Sequence, residues 1–319
     1  PTESLPPNPT DVAAADGLPG FTYITFTVPD GVTECWLMRK DTDFPQAHDD
    51  VEAVQLSTYT SAGWEYYIDV DVSSDVTTYY AVFCCNDVRW NDTLDSMDPD
   101  KNADTATPQA NSIQLVEVQS GGATSATSVT SGSLSLNNLD LYLAAVSTTL
   151  SVSVTSVSGL GLSWTQVGAQ CSSTDSTNTE IWYALGFPNA GDGIKVTANL
   201  DQRADGAVIV VAHYSGANPL NPLADNVVSA NTNGANGGCN STGMNGSTTW
   251  SMTIDAVQAD SMIFAAVGIQ DTQHTPGSMY TELAEKHNNG GVNAAGVAVE
   301  ERVTPSAGSL TVDGSFNNN

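Results

Sequence analysis

The feature that most narrows the fold is how the apolar runs end. Phe21-Thr22-Tyr23-Ile24-Thr25-Phe26-Thr27-Val28 is rich in Thr, aromatic and β-branched residues, and it stops at Pro29-Asp30-Gly31, a turn. Runs at 34–39, 51–56, 64–72 and 76–85 repeat the device with turn residues between them. None of these runs carries a sustained helical period. Six or seven short strands in roughly 90 residues predict a small antiparallel sandwich. Behind it, 86–112 is polar and acidic with two prolines, and the rest is rich in Ser, Thr, Val, Ala, Gly and Asn. The chain of 319 residues is therefore expected to be all-β, in three stretches: a sandwich over 1–95, an acidic linker over 96–112 and a larger sandwich over 113–319.

Four pieces of the first stretch, PPNPTDVAAADG, TVPDG, CWLMRKDTDFP and DVTTYYAVFCCND, resemble a fibronectin type III domain over roughly 5–95. The usual Trp of the second strand is missing, and Phe26 stands near its place. The resemblance implies a spacer or binding scaffold and brings no chemistry with it.

The third stretch repeats itself. Asp140-Leu-Tyr-Leu-Ala-Ala-Val recurs from Asp260, Trp164-Thr-Gln-Val-Gly recurs from Tyr280, and Pro188-Asn-Ala-Gly recurs from Pro305, at offsets of 116 to 120 residues. Two related halves of about four strands each, with the apolar strand at 207–213, predict one double-sheet sandwich of jelly-roll type; two separate small sandwiches are the alternative. Asp140 to Val146, Ser163 to Val167, Ile181 to Tyr183, Val196-Thr197 and Tyr214-Ser215-Gly216 resemble β-sandwich modules of phage structural and bacterial surface proteins.

Charge removes whole classes of function. Asp+Glu 36 against Lys+Arg 8 leaves −28, which repels phosphate backbones and anionic membranes. No apolar run approaches the ~18 residues of a spanning helix, so neither nucleic acid nor membrane insertion is expected. The Pro-rich lead-in fits either a cleaved signal or the loss of an initiator Met, and residues 1–10 are expected to contact another chain.

Five cysteines show no C-x-x-C spacing. Strand alternation points Cys35 and Cys84 inward on neighbouring strands, so a Cys35–Cys84 bridge is expected, against buried free thiols or pairing through Cys85. A second bridge, Cys171–Cys239, would tie two loops. Bridges imply an oxidising location.

The strongest constellation is Asp98-Pro-Asp100-Lys-Asn102-Ala-Asp104. Its oxygen side chains at alternate positions have the spacing of a calcium loop, although Ala103 and Gln109 depart from the EF-hand pattern and a plain solvated linker is the alternative. Asp69, Asp71 and Asp75 form a poorer cluster, with Asp69 and Asp71 expected to point outward. Ser215 lacks a nucleophile elbow. His48, His213, His274 and His287 lack metal spacing and read as loop or edge residues. Glu282, Glu285, Glu300 and Glu301 are the paired carboxylates a glycosidase needs; a strand places Glu300 and Glu301 on opposite faces, and nothing marks one as the buried acid. Trp164, Trp182, Tyr183 and Trp250 fit a sugar platform or, more simply, a core.

With no catalytic residue or cofactor marked beyond calcium, the sequence suggests a non-enzymatic structural or adhesive protein. It would be a repeated exposed subunit of a virion (capsid decoration, tail or fibre) or of an extracellular appendage. Its partners would be copies of itself, other surface proteins or surface glycans. A carbohydrate-binding accessory module of a secreted hydrolase system is the alternative.

Overall fold

The structure is a computed structural model, and it describes residues 4–97, 101–109, 112–150, 152–172, 177–223, 227–230, 247–256, 259, 261–288, 294–304 and 306–317. The fold is all-β, and the chain divides into two compact units at 112/113.

The first unit contains β1 (Ala13–Ala14), β2 (Thr22–Val28), β3 (Glu34–Lys40), β4 (Val54–Tyr59), β5 (Gly63–Asp69), β6 (Thr78–Cys85), β7 (Trp90–Asn91) and β8 (Ala103–Ala106). One sheet runs β1-β2-β5 and the other β4-β3-β6-β7, with β8 also on β6. Ile24, Phe26 and Val28 of the first sheet pack against Cys35, Leu37, Tyr80, Val82 and Cys84 of the second. Cys35 lies opposite Cys84 in the ladder and the two are bonded, as alternation predicted. Cys85, on the other side of the strand, is a buried free thiol.

Two expectations are corrected here. The stretch 96–112 is not a free linker, because β8 pairs with β6 and buries Ala103 and Ala106. Four residues are too few to show alternation among so many acids. Asp69 does not point outward. It is buried, takes an ion pair from Arg39 Nη1 at 3.0 Å and accepts the Tyr80 hydroxyl at 3.1 Å. The N-terminal stretch is also held by its own unit: Asn8 Oδ1 accepts the Cys84 N–H at 2.8 Å, and Asn8 Nδ2 donates to the carbonyls of Asn91 and Thr93.

The second unit contains β9 (Gln114–Ser133), β10 (Leu141–Thr149), β11 (Val154–Ser158), β12 (Thr165–Cys171), β13 (Thr177–Leu185) and β14 (Lys195–Ser215). Its second half contains β15 (Thr249–Ala256), β16 (Ser261–Ile269), β17 (His274–Pro276), β18 (Thr281–Asn288), β19 (Ala295–Thr304) and β20 (Gly308–Phe316). The repeat read from the sequence is a repeat of topology. The order β10-β13-β12 recurs as β16-β19-β18, and β11-β14 with β9 recurs as β17-β20-β15. Both copies carry a register shift at the same place, between Gln166 and Gly168 and between Glu282 and Ala284.

In the first half one six-stranded sheet folds over itself along β14, and in the second half two three-stranded sheets face each other, so the two-halved sandwich expected from the repeat is built of two stacked halves, each around its own core. Tyr142, Ala144 and Val146 of β10 face Val154, Val157, Val196 and Ala198. The opposite face of the same strand meets the second half, where Ala145 packs with Val208, Val210, Val297 and Val299. The second sandwich closes outward with Ile263, Tyr280 and Val312. The physical reason lies in β10 itself, whose nine residues are all buried: a strand with no polar face needs cover on both sides.

Cys171 is disulfide-bonded, and its expected partner Cys239 lies outside the described residues. Replacing Cys35 and Cys84 by Ala is expected to cost about 4 kcal/mol in the chain-entropy model for a sequence separation of 49. The readout is the urea midpoint of the first unit; an unchanged midpoint would mean the ladder alone sets its stability.

Candidate functional site

The topological repeat supplies an internal comparison for every buried polar residue. In the first sandwich Ala144, Trp182 and Gln166 form one row across β10, β13 and β12. The same row in the second sandwich is Ala265, Glu300 and Glu282. An indole and an amide have given way to two carboxylic acids.

Glu300 is 0% exposed, and neither carboxyl oxygen has a hydrogen-bond partner among the described residues. Burial, then the nearby Asp313 and Glu282 carboxylates, push its pKa up to about 8, so it carries a proton at neutral pH. His274 Nδ1 lies 2.8 Å from Glu282 Oε2, and Trp250 Nε1 donates to His274 Nε2 at 3.2 Å. An indole N–H only donates, so His274 Nε2 accepts and the ring proton sits on Nδ1, toward Glu282. His274 Nε2 is 4.0 Å from Glu300 Oε2. The His274 N–H donates to Glu285 Oε2 at 2.7 Å, and Glu285 Oε1 reaches His287 Nε2 at 2.6 Å. A Cβ at Gly314 would collide with His274 Nε2 and Trp250 Nε1, so the turn of chemistry here needs glycine. Arg302, two residues along from Glu300, lies over the Tyr280 ring at 5.5 Å with its Nε unpartnered.

A protonated carboxyl, a carboxylate and an imidazole within one layer are the parts of an acid–base pair. The first copy shows the structural use of the same residue type. Glu180 is buried, but its oxygens accept from Val154 N, Asn178 Nδ2, Gln166 Nε2 and Trp182 Nε1. An apolar cavity of about 800 Å³ reaches Trp250 and Asp313 past Ile263, Phe264 and Ile181, while Glu300 is not part of its wall. Glu300 and Glu301 do face opposite ways, since Glu301 accepts the Tyr214 hydroxyl at 2.7 Å. Glu300 is the buried acid that no sequence signal marked.

A second set surrounds His213, which is fully buried and not an edge residue. Its Nε2 meets Asp140 Oδ2 at 2.7 Å, its Nδ1 meets Ser135 Oγ at 3.2 Å, and the Tyr142 ring stacks on it at 4.3 Å. The order Ser135–His213–Asp140 has the connectivity of a nucleophile relay, on a serine 78 residues from the histidine and not on Ser215. The hydroxyl is committed elsewhere, however. Burial works against ionisation of Glu117, yet hydrogen bonds from the Ser135 hydroxyl and N–H, Gln119 and His213 hold its pKa down to about 2. Ser135 therefore donates to a permanent anion, and the set clamps the turn before β10.

The remaining candidates fall as follows. Asp98 and Asp100 lie outside the described residues. Asn102 Oδ1 accepts the Asp95 N–H at 2.6 Å and its Nδ2 donates to the Val82 and Thr93 carbonyls. Asp104 accepts the Ala14 N–H at 2.9 Å and pairs with Lys101 at 3.2 Å. Both calcium candidates within the described residues thus hold β8 in place. Trp164 and Trp182 pack on the first core, Tyr183 beside Leu141 and Leu143, and Trp250 on the second core. His48 stacks on Trp90 at 4.2 Å.

No family model matches this chain, and no curated protein matches it.

Glu300→Gln tests the buried acid. The folded-state pKa is raised, so the stability contribution is fully present below the ordinary carboxylate value and is lost as pH rises through about 8. The amide variant is expected to melt several degrees above wild type near pH 9 and to match it near pH 4, each kcal/mol moving Tm by about 2–4 °C. A gap independent of pH would show that Glu300 does not hold the proton.

Proposed function

We propose that this protein is a non-enzymatic structural and adhesive component of a surface, a repeated exposed subunit of a virion or of an extracellular appendage. The observation that carries the reading is the enclosure of the reactive groups. His213, His274 and Glu300 are all buried inside sandwiches whose layers are closed by neighbouring sheets. An enzyme places such groups where substrate reaches them. The Cys35–Cys84 bridge supports an oxidising location, and the strong net negative charge supports a soluble, crowded surface. The strand order β1-β2-β5 over β4-β3-β6 supports the fibronectin-type reading of the first unit, a scaffold.

The carbohydrate-binding alternative has one observation in its favour, the exposed rings of Trp64 and Tyr66 on the first unit, with the half-buried Tyr23 beside Tyr66.

Sedimentation velocity at rising concentration, followed by negative-stain electron microscopy, tests the structural role. An ordered assembly of identical subunits is expected. A strict monomer at every concentration, with turnover of any ester or glycoside substrate, would replace this reading with an enzymatic one.

A further inference from the structure

We propose that the outer face of the β1-β2-β5 sheet is a glycan-binding platform whose ligand is a neutral polysaccharide. The proposal rests on the adhesive reading and supplies the surface and ligand class which that reading lacks.

Register builds the face. Tyr23 opposes Ile68, Thr25 opposes Tyr66 and Thr27 opposes Trp64, so these six side chains share one side of the sheet. Their neighbours Ile24, Phe26 and Val28 turn into the core. Trp64 is 58% exposed and Tyr66 45%, and among the described residues they are the only aromatic side chains left so open. The other tryptophans have found partners: Trp36 packs on Trp90 at 4.6 Å, Trp164 and Trp182 lie on the first core, and Trp250 holds His274. Two large rings left open side by side on one sheet face, touching each other, form a contiguous apolar patch of the kind recognition surfaces use.

The spacing and the charge then choose the ligand. The rings step from Trp64 to Tyr66 at 5.7 Å with planes inclined by 35°, and from Tyr66 to the half-buried Tyr23 at 5.9 Å with planes inclined by 47°, so the row curves along the sheet. A pyranose chain presents one patch of C–H groups per sugar at a similar repeat. Each patch lies on an aromatic face while the hydroxyls stay hydrated at the rim. None of the six side chains is charged, so a charged polymer has nothing there to pair with. The border is acidic, since the Thr27 hydroxyl donates to Asp11 Oδ2 at 2.6 Å, and this repels an anionic glycan. Strand addition by a second copy is disfavoured because the Tyr59 hydroxyl donates to the Tyr66 carbonyl at 3.3 Å and occupies part of the edge of β5.

The test is affinity electrophoresis of the full chain in gels containing hydroxyethylcellulose, xyloglucan, galactomannan or soluble starch, with alginate as the anionic control. At least one neutral polymer is expected to retard the protein, and alginate is not. The double variant Trp64→Ala/Tyr66→Ala is expected to weaken that binding by roughly tenfold or more with an unchanged melting temperature, and Trp64→Phe to retain most of it. Retardation by no neutral polymer, or by alginate alone, overturns the proposal. Equal retardation of wild type and the double variant also overturns it, because the glycan then binds elsewhere, while the adhesive reading stands. Assembly measured by sedimentation is a separate readout, so failure of the platform and failure of the structural role are distinguishable.

Discussion

The second unit depends on burying both faces of its central strands. Leu141-Tyr142-Leu143-Ala144-Ala145-Val146 offers no polar side to water, and Ala295 to Glu300 of β19 is equally buried. A sheet of that kind is stable only as an inner layer. The two halves meet that need in each other. The face of β10 that is not covered by its own outer sheet is covered by β19 of the other half, and the reverse holds for β19. β14 links the layers in the first half: it pairs with β11 through Val154↔Leu200, shifts register after Asn199, and continues beside β10 as Ala207 to Tyr214. The bend lets one strand serve both sheets of its sandwich.

Once the scaffold is duplicated, its interior can diverge. Glu180 and Glu300 sit within the cores of matching strands and differ in what surrounds them. Four donors surround Glu180, so its burial costs little. Glu300 has none and avoids the cost of a buried charge by keeping its proton. Where the first copy has Trp182 and Gln166 in the matching row, the second has Glu300 and Glu282.

The first unit uses polar side chains to complete a sheet that its backbone leaves unfinished. Between β7 and β8 the chain departs from β6, and Asn102 and Asn8 bridge the gap from opposite ends of the unit. Asp69 performs a similar task at the other end, holding Arg39 and Tyr80. These contacts explain why a stretch that reads as linker behaves as part of the sandwich.

The sequence alone determined the strand-rich class, the boundary near 112, the inward placing of Cys35 and Cys84 on neighbouring strands and the twofold repeat. Each of these is a local or periodic property: alternation of side chains, turn residues and recurring short motifs. It also placed Glu300 and Glu301 on opposite faces, because strand geometry dictates that. Which of the two is buried was decided by tertiary structure, since only the packing of β20 and β17 over β19 takes water away from Glu300. The same applies to His213 and His274, whose partners lie 73 residues away at Asp140 and 24 away at Trp250. The contact of the Tyr23 ring with the exposed Tyr66 ring joins two strands that only the sheet makes neighbours. Burial and proximity between distant segments are properties of the packed layers, and a chain read one residue at a time does not contain them.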